Sequence, residues 1–318
     1  MSMTSPPLHV GNHHTSPPLL HSTTTTNNNH TKPVKTCHLP RRLKTLTIAS
    51  HSDHTQTTLS NSKLSQQLDN NNLYQWNTII SRHTNNDLYH DAILAFTDFL
   101  QTDHTPDNFT LPCVIKACVG ISNFKCGLVV QGMAVKMGLI SDVYVGNSLV
   151  AMYGKFGIVE DAVKVFDIMP QRNLVTWNSL ISVFSDNGWF RESIDLFMEL
   201  LVSGDELIVP DVATLVTLLP VCAAEKDVWF GRMIHSLGVK LGLYQDLKVQ
   251  NALMDMYLKC GYMLEARKVL DRNENKNVVS WNSVILDCSR EGDAEQAFQL
   301  LHDMQIGSDS VKPDRVTI

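Results

Sequence analysis

A chain of 318 residues is long enough for two ordinary domains or one elongated repeat array, and its 43% hydrophobic content is that of a protein that buries a core. No stretch approaches the ~18 consecutive apolar residues of a membrane-spanning helix: the most apolar window, Leu215 to Ala224, contains Thr217 and Pro220, so no membrane partner is expected. The formal charge of −6 is uneven. Six of the 26 basic residues but two of the 32 acidic ones precede Leu73, leaving 20 against 30 beyond it, a balance that weighs against phosphate-driven nucleic-acid binding.

Residues 1–60 are rich in Ser, Thr, Asn, Pro and His, with a polar tract from Ser22 to Thr31 and Pro pairs at 6–7 and 17–18. Helix or strand periodicity is missing there, so a disordered segment is expected. Basic residues, many hydroxyls and no acid before Asp53 give it the composition of an organelle transit peptide. Its Ser/Thr/Pro content favours chloroplast slightly over mitochondrion. Eight of the 13 histidines are scattered here without metal-ligand spacing. Residues 61–72 read as a linker or partial repeat. The seven cysteines (37, 113, 118, 126, 222, 260, 288) form no CxxC pair and read as reduced core thiols, with no metal and no cofactor expected.

Beyond residue 72 the chain repeats itself. Trp76-Asn77, Trp177-Asn178 and Trp281-Asn282 recur at separations of 101 and 104. Ala117-Cys118 matches Val221-Cys222 at an offset of 104, and so do Val135-Lys136 with Val239-Lys240 and Met152-Tyr153 with Met256-Tyr257. Each unit reads as a helical hairpin. From Leu174, the residues Trp177, Ile181 and Phe184 make one apolar stripe, and Asp186-Asn187-Gly188 breaks it. Ile194, Phe197, Met198 and Leu201 make a second. In the Tyr144 unit, Gly157 marks the turn; Ala162, Val165, Phe166 and Met169 form the second stripe before Pro170. A lone hairpin cannot cover its own apolar face, so the units must stack into an all-α solenoid.

These units resemble pentatricopeptide repeats of the plant series in which normal, long and short repeats alternate, the PLS subfamily. Val278-Val279-Ser280-Trp281-Asn282-Ser283 opens a normal repeat, Ile115-Lys116-Ala117-Cys118 marks a long one, and Asn251-Ala252-Leu253-Met254-Asp255-Met256-Tyr257 with Lys259-Cys260-Gly261 marks a short one. The resemblance divides the chain into seven repeats, 73–107, 108–142, 143–173, 174–211, 212–246, 247–277 and 278–314. The recurring length of 31 separates them from tetratricopeptide repeats of ~34. Repeats longer than 35 imply insertions near Gly204–Ile208 and Gly307–Ser310. Residues 315–318 look like the start of a truncated further repeat. The resemblance implies a right-handed α-solenoid of helix-turn-helix repeats that binds single-stranded organellar RNA, one base per repeat.

In such repeats the fifth residue and the last residue read the base. Here those pairs are Asn77/Asp107, Asn147/Asn173, Asn178/Asp211, Asn251/Asn277 and Asn282/Asp314. Asn with Asp resembles the family's uracil pair and Asn with Asn its cytosine-or-uracil pair. The long repeats offer Pro112/Asp142 and Val216/Asp246, which should read little. The implied target is U-N-Y-U-N-Y-U. The second position, which packs between bases, holds Tyr74, Phe109, Tyr144, Val175 and Val279, with the weaker stackers Ala213 and Lys248. The recurring Trp residues are core.

The sequence carries no P-loop, GxGxxG, HExxH, GxSxG or HxE…PCxxC signature, so neither an enzyme nor a small-molecule substrate is expected. Many members with this repeat pattern act in C-to-U RNA editing or RNA processing together with other editing factors, and the chain reads as the recognition part of one. The alternative is an α-solenoid scaffold for protein–protein interaction.

Overall fold

The computed structural model describes residues 73–202, 208–273, 276–307 and 311–317. The expected transit peptide, the linker and most of both expected insertions lie outside these residues. The chain divides into two units, 1–50 and 51–318, and all of the described residues belong to the second.

Among the described residues there are fourteen α-helices and no strand. They are α1 Leu73–Asn85, α2 Tyr89–Phe99, α3 Thr110–Gly120, α4 Phe124–Lys136, α5 Val143–Lys155, α6 Val159–Ile168 and α7 Leu174–Asp186, followed by α8 Phe190–Val202, α9 Val212–Glu225, α10 Val228–Lys240, α11 Leu247–Lys259, α12 Met263–Arg272, α13 Val278–Arg290 and α14 Ala294–Gly307. Each is short, at 10 to 14 residues. None is long and apolar enough to cross a membrane.

The odd-numbered helices form one row and the even-numbered helices a second. Each odd helix packs on its own even partner, on the odd helices before and after it, and on the preceding even helix. This is the nearest-neighbour stacking of an α-solenoid. Trp76, Trp177 and Trp281 are buried, as their fixed phase requires. Trp177 meets Phe166 of the preceding hairpin edge to face, with ring centroids 5.1 Å apart. Ala162, Val165, Phe166 and Met169 are buried as expected.

On α8 the expected stripe of Ile194, Phe197, Met198 and Leu201 holds at Phe197, which is buried, but is out of phase at the others. Met198 and Leu201 are each 39% exposed, whereas Ser193, Leu196, Phe197 and Leu200 are buried. The helix is apolar on more than one face, so periodicity admits two answers. The packing that won also satisfies a polar group, since Ser193 Oγ donates to the carbonyl of Ile181 at 3.3 Å.

All seven hairpin turns share one geometry. A residue with positive φ follows each odd helix: Asp87, Ser122, Gly157, Gly188, Lys226, Gly261 and Gly292. The next amide then donates back over the helix end, as in Leu88 N to His83 O, Asn123 N to Cys118 O and Trp189 N to Phe184 O, at 2.8–2.9 Å. That bond satisfies a carbonyl that the helix end would otherwise orphan. Only four of the seven positions hold glycine, the residue that adopts this backbone without steric cost.

Candidate functional site

The site begins with helix capping. Asn173, Asp211 and Asn277 are the N-caps of α7, α9 and α13, and each closes a capping box with the hydroxyl residue three positions on, Thr176, Thr214 or Ser280. Asp142 and Asp246 cap α5 and α11. Asp107 accepts from the amides of Phe109 and Thr110 at 3.0 and 2.8 Å, and Asp314 from those of Val316 and Thr317 at 2.9 and 3.1 Å. Short polar residues stand at these places because a side-chain oxygen there meets donors the helix cannot satisfy itself.

The same caps are joined to asparagines on the preceding odd helix. Asn77 Nδ2 donates to both carboxylate oxygens of Asp107, at 3.2 and 3.1 Å. Asn178 Nδ2 donates to Asp211 Oδ1 at 3.1 Å, and Asn282 Nδ2 to Asp314 Oδ1 at 3.0 Å. Three of the five expected pairs are therefore in direct contact across 30 to 33 residues of chain.

The two Asn/Asn pairs are built differently. Ser280 Oγ bridges Asn251 Oδ1 at 2.8 Å and Asn277 Oδ1 at 3.0 Å. Asn173 Oδ1 accepts from Thr176 N and Oγ1, both at 3.0 Å, while the buried Asn147 Oδ1 meets no donor among the described residues. In the long units, Pro112 and Val216 replace the amide, and Asp142 Oδ2 instead accepts from Asn108 Nδ2 at 2.9 Å.

Two groups of the site shift in acidity. Burial raises the Asp107 carboxyl, but hydrogen bonds from Thr110, Phe109 and Asn77 outweigh it and hold the group below its usual 3.8. The Asp314 carboxyl is lowered by hydrogen bonds from Asn282, Val316 and Thr317 against slight burial. Both stay ionised at neutral pH.

The second residue of each unit is exposed, whether the fifth residue is an amide or an apolar side chain. Tyr74, Phe109 and Tyr144 are 76, 66 and 63% exposed, and Val175, Val279, Ala213 and Lys248 are exposed at the same phase. Large apolar side chains held in solvent beside half-buried amides give a surface that offers flat contact and directed hydrogen bonds together. The asparagines recurring after Trp mark this surface in the sequence. The hydroxyls of Thr110, Thr214, Ser280 and Thr317, which donate to those amides, were not among the expected site residues, although the recurrence of Thr or Ser at one phase was visible.

The PPR repeat family matches residues 147–174, 175–205, 251–272 and 279–306. A pentatricopeptide repeat-containing protein of Arabidopsis thaliana, At1g18485, is 51% identical over 249 residues, which cover 78% of this chain and 26% of that protein. Another from Arabidopsis thaliana, At3g09040, labelled mitochondrial, is 36% identical over 231 residues, covering 73% of this chain and 22% of its own length. The chain thus spans about a quarter of each of these relatives. Among solved structures, the pentatricopeptide repeat protein PPR10 in complex with an 18-nt psaJ RNA element superposes with a TM-score of 0.66 at 20% identity, covering 82% of this chain and 38% of that one. PPR10 from maize superposes with a TM-score of 0.56 at 19% identity, covering 76% and 35%.

Proposed function

Because this chain belongs to the pentatricopeptide repeat proteins, we propose that it binds single-stranded RNA in a sequence-specific manner, one base per repeat, through the asparagines of its odd helices. The observation that carries this reading is the cross-repeat Asn–Asp contact, formed three times with the same atoms and flanked each time by an exposed second residue.

An asparagine amide has two N–H donors and two acceptor lone pairs. In the Asn178 arrangement Asp211 takes one N–H and Thr214 supplies one acceptor bond. One donor and one lone pair remain, side by side, for a pyrimidine edge. The last residue then tunes the choice. The hydrogen bonds to Asp211 and Asp314 fall on Oδ1, which leaves Oδ2 as an acceptor suited to the N3–H of uracil. Asn173 and Asn277 cap through Oδ1, which leaves an amide donor suited to cytosine N3 or a uracil carbonyl. Pro112 and Val216 offer no such group, so the target is U-N-Y-U-N-Y-U. Exposed Tyr74, Phe109 and Tyr144 would stack between bases, each adding on the order of 1–3 kcal/mol.

The proposal extends to the alternation of normal, long and short repeats over the seven repeat boundaries, and to action in a plant organelle. One relative is labelled mitochondrial, while the Ser/Thr/Pro-rich leader favours the plastid. The repeats would then be the address-reading part of a C-to-U editing or RNA processing factor, with no chemistry of their own. PPR10, whose complex contains an 18-nt psaJ RNA element, supports RNA as the partner class.

A gel-shift comparison of U-N-Y-U-N-Y-U with the same oligonucleotide carrying purines at the five specified positions tests this. The pyrimidine form should bind at least tenfold tighter. Equal binding of both would favour the second reading, a scaffold for protein partners, to which the acidic balance beyond residue 72 points.

A further inference from the structure

From the second unit on, the third residue of each unit is buried, and its identity follows the fifth residue of the unit before it. Asn77 is followed by Thr110, Asn147 by Thr176, Asn178 by Thr214, Asn251 by Ser280 and Asn282 by Thr317. All five hydroxyl residues are buried. Where the fifth residue is Pro112 or Val216, the third residue of the next unit is Val145 or Val249, also buried. Hydroxyls thus stand behind amides, and a hydrocarbon of the same shape stands behind apolar side chains.

The contacts give the reason. Thr110 Oγ1 donates to Asn77 Oδ1 at 2.6 Å, Thr214 Oγ1 to Asn178 Oδ1 at 2.8 Å, Ser280 Oγ to Asn251 Oδ1 at 2.8 Å and Thr317 Oγ1 to Asn282 Oδ1 at 2.6 Å. A hydroxyl has one proton. Asp211 Oδ1 already receives the Thr214 amide and the Asn178 amide, whereas Asn178 Oδ1 has Thr214 alone, so the proton belongs to the asparagine. The hydroxyl oxygen in turn accepts from the Asp211 amide at 3.2 Å. At Asn178 the carboxylate and the hydroxyl fix the two ends of the amide. At Asn251 the hydroxyl of Ser280 is the restraint.

We infer that the third-position hydroxyl is a specificity-determining positioning residue: it sets which end of the preceding repeat's asparagine faces the RNA base, and a valine there marks a repeat that does not read. The inference rests on the RNA-binding function proposed for the chain. Its physical content is pre-organisation: an amide free to turn over presents donor and acceptor in either order and loses its preference between bases.

The test uses the full chain and U-N-Y-U-N-Y-U oligonucleotides varied to A at the third, fourth or sixth nucleotide, with affinities read by fluorescence anisotropy. Ser280→Ala should reduce pyrimidine-over-A discrimination at the sixth nucleotide about fivefold, the change one hydrogen bond of ordinary net strength brings, and leave the fourth unchanged. Thr214→Val should reduce discrimination at the fourth nucleotide two- to threefold, roughly half that effect, because Asp211 still holds the amide nitrogen. Thr214→Ser should restore it. Thr176→Val is the control: Thr176 accepts from the Asn173 amide at 3.2 Å as the other caps do, yet Asn147 Oδ1 receives no hydrogen bond from it. It should leave the third nucleotide's discrimination unchanged. If Ser280→Ala fails to fold, Thr214→Val against Thr214→Ser carries the same comparison. Parent-like ratios in Ser280→Ala and Thr214→Val, or an equal loss in Thr176→Val, overturn the inference and leave RNA reading intact. A parent chain that discriminates nowhere overturns both.

Discussion

At the scale of single residues, the site reuses groups that the fold already requires. Asp107 and Asp211 accept the first amides of α3 and α9, and Asp314 those of the turn that follows it; at Asp211 and Asp314 this capping and the neighbouring asparagine both use Oδ1, whereas Asn77 engages both oxygens of Asp107. Changing the fifth residue should therefore change the base without disturbing the cap. Asn178→Thr with Asp211 kept should move preference at the fourth nucleotide from U towards G, as the resemblance to the family's code implies; unchanged relative affinities for the two oligonucleotides would count against base reading there. Acid offers a second handle. The Asp107 carboxyl is held below 3.8 in the folded chain, so its contribution is complete above the unfolded value of about 3.9 and disappears as pH falls through the lower folded value. The stability difference between the parent and Asp107→Asn, read from denaturant unfolding, should be constant from pH 7 to 5 and shrink below about 4. A difference that stays constant to the lowest pH would refute this linkage.

At the scale of elements, the hairpin turn is the recurring part with the most uneven sequence. Ser122 and Lys226 hold φ of 54° and 53° where Gly157 and Gly188 hold 72° and 78°. A side chain in this backbone region costs about 1 kcal/mol relative to glycine. Ser122→Gly should accordingly raise the unfolding free energy by about 0.5–1 kcal/mol, and Gly157→Ala should lower it by a similar amount. Opposite signs in a thermal melt are the expected signature, and a destabilised Ser122→Gly would show that the Ser122 side chain contributes something the backbone geometry does not explain. Stacking of odd helices depends on small residues in a different way: a Cβ at Gly154 would strike Val183 of the next odd helix, whose β-branched side chain has little room to turn away.

For the stacked repeats as a whole, the proposed RNA binding would draw on stacking and directed hydrogen bonds rather than on charge. Residues 73–318 hold 20 basic against 30 acidic residues, and Lys155 of α5 is already paired with Asp186 of α7 at 2.8 Å. Each phosphate contact contributes a slope of about −0.7 to the logarithm of affinity against the logarithm of salt for a single strand. A slope of about −1 to −2 is expected here, read by anisotropy between about 50 and 300 mM salt, a range over which screening strengthens severalfold. A slope steeper than about −5 would mean that phosphates dominate.

The sequence by itself determined the helical hairpins, the turns at Gly157 and Gly188, the burial of Trp76, Trp177 and Trp281 and the phase of the amides, because each is set within one turn of helix: apolar spacing, a cap, a left-handed residue. The recurrence of Trp-Asn at matching offsets made the stacked architecture legible as well. Tertiary structure alone decided three things. It chose Ser193, Leu196, Phe197 and Leu200 over Ile194, Met198 and Leu201 on a helix apolar on several sides. It joined Asn77, Asn178 and Asn282 to their caps while leaving the carbonyl of Asn147 without a donor among the described residues. It also brought the third-position hydroxyls onto the amides. These depend on the register between helices about thirty residues apart, where a shift of a few tenths of an ångström makes or breaks a hydrogen bond, and no local pattern in the chain encodes that register.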